Sequence, residues 1–224
     1  MSVYEASFVR ARTGPATSFR ETARILREAN ESWLAASPTN VTWELTVRLT
    51  EGSDWVSIQA SLADQQIETL SRELGTTAIR IYMSDEMVLR FSYGRFDHGQ
   101  AVRSLEYADG GDPRAGGTWT KVEGEPEPWE ALLFSPRLLE LYRKYAPDEL
   151  PEGSADRRIK PGLSIPWVCE ADVVAEIARA LQLPWAPIGN GFPPATHTKV
   201  IPGSPERWKA FRRRHRRSWW RFWA

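Results

Sequence analysis

Four carboxylates stand close together in the run VEGEPEPWE: Glu123, Glu125, Glu127 and Glu130. Paired carboxylates do general acid–base work when a cleft holds them at a fixed separation. Here Gly124, Pro126 and Pro128 alternate with them, which implies an exposed, extended strand end leading into a helix. A rigid acidic segment carrying Trp129 suits the binding of a basic partner, or of the chain's own cationic tail, better than catalysis. The three histidines are His98, His197 and His215, and none has the spacing of a metal site. Asp97-His98 falls between two strands and reads as a turn dipeptide. Cys169 opens a predicted helix, where the macrodipole would lower a thiol pKa. Nothing else marks it as a nucleophile, and a small buried residue is the expectation. The glycines between Gly110 and Gly117 follow neither phosphate-cradling pattern and read as a loop. No catalytic residue, cofactor site or metal site is expected.

The other chemically distinctive segment is the C-terminus. From Arg207 to Ala224 the chain carries eight Lys/Arg, no acid, and four of its eleven tryptophans. That leaves residues 1–206 with 21 basic residues against 29 acidic ones, a net charge of −8. An acidic body therefore precedes a cationic, aromatic tail, an asymmetry that bears on partners. Ser204, Pro205 and Glu206 form a helix start signal. On a helix Trp208, Phe211, His215, Trp219 and Phe222 line one stripe. The candidate partner-binding residues are Trp208, Phe211, Arg212, Arg213, Arg214, Arg216, Arg217, Trp219, Trp220, Arg221, Phe222 and Trp223. Contiguous arginines repel one another, so the helix is expected to fold on a partner or against the acidic body.

The elements that must carry these residues are read from periodicity. Residues 3–10 are a strand with Tyr4, Ala6 and Phe8 on one face. A helix with a Ser18/Glu21 capping box follows and stops before Pro38. Val41 to Leu49 alternates with polar residues and makes a hairpin with Val56, Ile58 and Ala60 across Glu51-Gly52-Ser53. Ser61 starts a second helix bearing Ile67, Leu70 and Leu74, with Gly75 as its C-terminal cap. Four strands come next in close order, through Ile79–Met83, Met87–Tyr93, Ala101–Tyr107 and Trp119–Val122. Their short connections imply an antiparallel meander. Helical signals then follow Pro128 and Pro136, and another covers Val173 to Leu181. The fold class is α+β: an antiparallel or mixed sheet of about six to seven strands with helices packed on one face, plus the C-terminal basic, aromatic helix.

Three regions result: a globular body over 1–183, a Pro/Gly-rich linker over 184–203, and the tail over 204–224. One cysteine in 224 residues makes no internal disulfide and favours a reducing, cytoplasmic setting. The start MSVYEASFVRAR shows no secretory signal, and no apolar run is long enough to span a membrane. Arginine outnumbers lysine 24 to 5, which fits a GC-rich bacterial genome. The expectation is a non-enzymatic bacterial binding protein, immunity- or adaptor-like, whose tail docks on a protein partner. The alternatives are RNA binding through the Arg/Trp-rich tail and peripheral attachment to an anionic membrane surface.

Overall fold

Alternation of apolar residues produces eight strands in the computed structural model, which describes residues 3–12, 14–36, 45–60, 62–84, 90–109, 117–137, 139–140, 159, 161–162, 171–185 and 192–201. They are β1 (Val3–Arg10), β2 (Leu45–Leu49), β3 (Trp55–Gln59), β4 (Thr77–Ser84), β5 (Arg90–Asp97), β6 (Gln100–Asp109), β7 (Gly117–Gly124) and β8 (His197–Ile201). All pair antiparallel in one sheet, in the order β7-β6-β5-β4-β1-β3-β2-β8. The expected β4 to β7 meander and β2/β3 hairpin are present. The strand number is eight rather than six to seven because His197–Ile201 pairs with β2, register Leu45↔Ile201 to Leu49↔His197. These five residues lie in the stretch expected to be a linker.

The helices start and stop for local reasons. α1 (Pro15–Ala36) begins at Pro15, whose fixed φ suits a first turn. Ser18, the expected N-cap, sits inside that turn, where its hydroxyl accepts the Arg12 N–H at 3.3 Å. α2 (Asp64–Leu74) is capped at Ala63, which has no side-chain acceptor. Gln66 compensates by accepting the Ala63 N–H through Oε1 at 2.6 Å. Gly75 closes α2 with φ +57°, as its C-capping role requires. The two-residue β5/β6 turn has positive φ at both His98 (52°) and Gly99 (80°), a geometry matched to strand twist. Ser71 of α2 anchors that turn: its hydroxyl accepts the Gly99 N–H at 3.0 Å and donates to Thr76 O at 2.7 Å.

Helices cover both faces of the sheet, which corrects the one-face expectation. On one face α1 (Phe19, Leu26) and α2 (Ile67, Leu70) pack on Val9, Val47, Ile58 and Ala78. On the other face a 3₁₀ helix (Pro128–Phe134), α3 (Ala171–Ala180) and Trp185 cover Phe8, Ile79, Ile81, Phe91, Tyr93 and Leu105. Strands β1 and β4 are packed on both sides; Ala6, Phe8 and Val9 are fully buried in succession around Ser7.

Two cores separated by a sheet make an additivity prediction. Ile58→Val on one face and Ile81→Val on the other should each cost about 0.5–1.5 kcal/mol. Chemical denaturation of the double variant should give the sum of the two within about 0.5 kcal/mol. A larger coupling would mean that the faces share one packing unit.

Candidate functional site

The carboxylate run is split by the fold. Glu123 and Glu125 are exposed, whereas Glu127 and Glu130 are buried at 8% and 3% exposure. The expected solvated segment is thus half core. Its geometry begins at Gly124, where φ is +81° and an added Cβ would sit 1.8 Å from Val102 O. The chain turns there and returns across the sheet as the 3₁₀ helix. Glu130 meets Arg103 of β6 as a fork: Nε to Oε1 at 2.8 Å and Nη2 to Oε2 at 2.7 Å. Arg103 Nη1 also donates to the carbonyls of Glu123, at 3.1 Å, and Gly124. Glu130 Oε1 in turn accepts the Glu127 N–H at 2.9 Å. The guanidinium from a distant strand is what makes burial of Glu130 tolerable, because fork geometry satisfies both charges.

Glu127 occupies a second cluster beside the first. Its Oε2 accepts from Tyr93 Oη at 2.9 Å and Trp129 Nε1 at 3.1 Å, and its Oε1 lies 3.5 Å from Arg95 Nη1. Arg95 is shared with Asp97 at 3.0 Å. Burial pushes the Glu127 carboxyl above its usual range, against the opposing pull of Tyr93, Arg95 and Trp129. Burial and then the Glu127 charge push the Tyr93 phenol well above its usual value. Raised carboxyls occur at catalytic sites. Here both glutamates accept from protein donors, Glu130 from Arg103 and Glu127 from Tyr93 and Trp129. Their arrangement fixes the 3₁₀ helix, with Trp129 and Leu133, onto the second face.

The other sequence candidates are dispersed. His98 is exposed at its turn, as read. His197 is exposed on β8, with its ring 5.9 Å from that of Phe19. Cys169 and all the tail residues from Trp208 to Trp223 lie outside the described residues. Among the described residues no group of three or more His, Cys, Asp or Glu could hold a metal, and no helix is long and apolar enough to cross a membrane.

A surface site emerges where no motif pointed. α1 and β8 enclose an open groove of about 390 Å³. Phe19, Ala23 and Ile201 floor it, and Arg20, Arg24, Arg27 and Lys199 rim it. The arginines recur at steps of four and three, one stripe of α1. Register places Lys199 on the α1 side of the sheet with His197 and Ile201. Arg24 is paired with Glu28 at 2.8 Å, while among the described residues Arg27 and Lys199 have no ion-pair partner. The stripe was readable in the sequence; its meeting with Lys199, more than 170 positions on, was not. No protein-family model matches the chain, and neither a curated protein nor a solved structure shows significant similarity to it.

Arg103→Met or Glu130→Leu alone should destabilise by about 3–5 kcal/mol, because either leaves an unpaired buried charge. The double variant should recover most of that loss in a denaturant double-mutant cycle, and strictly additive losses would contradict the fork. For Glu127 the folded-state pKa is raised, so its stability contribution is present below the ordinary carboxyl range. It is lost as pH climbs through the folded value. The stability of the native chain minus that of Glu127→Gln should therefore decline as pH rises above the ordinary carboxyl range; a rise there would reverse the assignment.

Proposed function

We propose that the chain is a non-enzymatic bacterial binding protein, immunity- or adaptor-like, that works in the cytoplasm and docks on a protein partner. The observation that supports this reading is the α1/β8 groove, with its apolar floor and cationic rim. Its last floor residue, Ile201, stands three positions before the start signal of the cationic tail at Ser204. Groove and tail share one chemistry: large apolar surface ringed by arginine, the residue types that dominate interface energetics. Trp208, Phe211, Trp219, Trp220, Phe222 and Trp223 are the proposed anchors of the tail. Arg212, Arg213, Arg214, Arg216, Arg217 and Arg221 supply its charge. The buried carboxylates serve the packing of the second face in this picture: Glu130 is held by Arg103, and Glu127 accepts from Tyr93 and Trp129.

The rim arginines and Lys199 also favour a second reading, in which the anion is a nucleic acid. Two variants of the full chain separate the two. Trp219→Ala with Trp220→Ala should weaken partner binding by at least about 1–2 kcal/mol, with modest salt dependence. If only Arg212→Gln, Arg213→Gln and Arg214→Gln together weaken it, and the affinity falls steeply with salt, counterion release is the driving force. RNA or an anionic membrane would then replace the protein partner.

A further inference from the structure

The two ends of the sheet are finished differently. At the β7 end the Gly162 N–H donates to Trp119 O at 2.9 Å, so a crossing segment takes up part of that strand's outer edge. At the β8 end no described strand pairs with the outer edge. Residues 197–200 are exposed in succession, with Val200 at 45%. An open edge offers a row of peptide N–H and C=O groups at strand spacing, which another extended chain satisfies. Beside this edge runs the α1 stripe of Arg20, Arg24 and Arg27, with Lys199 facing it.

We infer that the outer edge of β8 accepts an extended acidic peptide segment of a partner protein as a ninth strand. Backbone bonds to β8 would hold it, and its carboxylates would lie along the groove against Arg20, Arg27 and Lys199. This rests on the protein-binding reading above and assigns it a site and a partner chemistry. The charge decides among occupants. A second copy pairing through β8 would bring two cationic rims together, which disfavours it. A nucleic acid would satisfy the charges, yet its backbone has no row of amide donors and acceptors to match a strand edge. An acidic peptide satisfies both the edge, through its backbone, and the rim, through the alternate carboxylates that face α1.

The test uses the full chain and a ten-residue peptide of alternating Glu and Val. Two further versions carry N-methyl groups at odd or at even backbone nitrogens. An added strand uses one set of its amides and points the other to solvent. One N-methyl peptide should therefore lose about tenfold or more in affinity while the other binds normally. Amide hydrogen exchange should slow within His197–Ile201 on binding the parent peptide. Arg27→Gln with Lys199→Gln, both at exposed positions, should weaken the parent peptide about tenfold with the fold intact by circular dichroism. Glu125→Gln, at an exposed position beyond the opposite end of the sheet, should change it less than about threefold. Equal binding of both N-methyl peptides, or unaltered exchange in β8, overturns the edge site. If the parent peptide then still binds but is lost in the tryptophan variant, the protein-binding reading survives through the tail alone. Failure of the parent peptide to bind overturns the inference, and tight binding of a uridine 20-mer in its place removes the protein-binding reading as well. A β8-mediated dimer in sedimentation also overturns it.

Discussion

The central strands are buried on both faces, and most of this structure follows from that constraint. In a sheet with one wet face, every second residue is free to be polar without cost. Here both faces of β1 and β4 are packed, and the one charged side chain of β4, Arg80, finds partners on three other elements. Arg80 of β4 meets Asp64 at 3.2 Å, Ser92 at 3.0 Å and Glu5 at 3.5 Å. Asp64 opens α2, so the same contact that satisfies the arginine fixes the helix on the sheet.

The second face depends on the same logic more heavily. Its lid contains a seven-residue 3₁₀ helix, a short element with poor intrinsic stability. Apolar contacts of Trp129, Leu133 and Phe134 supply the burial, but they do not set a unique position. The Arg103 fork and the donors to Glu127, Tyr93 and Trp129, do, because each needs its partner at hydrogen-bond distance and in one orientation. Edge rings stack around them: Tyr93 with Trp129 at 5.0 Å, and Tyr107 with Trp119 at 5.5 Å. With the middle of the sheet closed on both sides, surface chemistry is pushed to the ends. One end is partly covered by the segment at Gly162, and the other meets the cationic stripe of α1.

Much of the secondary structure was legible because it is a local property. Alternation at 45–49 and around 79–83, Gly75 after α2, and the dipeptide ahead of Gly99 each report backbone geometry within a few residues. The capping signal at Ser18 sets the α1 start four residues too late, because Ser18 has a capping side chain whereas Pro15 has only a preset φ, and the proline prevails. β8 escaped notice for a different reason. His197-Thr-Lys-Val is exposed at every position, so it has no buried face to imprint a pattern, and only pairing with β2 makes it a strand.

The α+β class, the meander, the acidic body and the cationic aromatic tail are all legible from the residues alone, since they reside in composition and short-range periodicity. That helices cover both faces, that Glu127 and Glu130 are core residues, and that Lys199 completes a groove with α1 emerges on folding. The difference is distance along the chain. A glutamate reads as solvated until a guanidinium 27 residues away is shown to reach it. A lysine on an exposed strand likewise reads as surface until the register sets it beside three arginines of another element. Burial and juxtaposition are properties of pairs, and a one-dimensional pattern records single residues and their near neighbours.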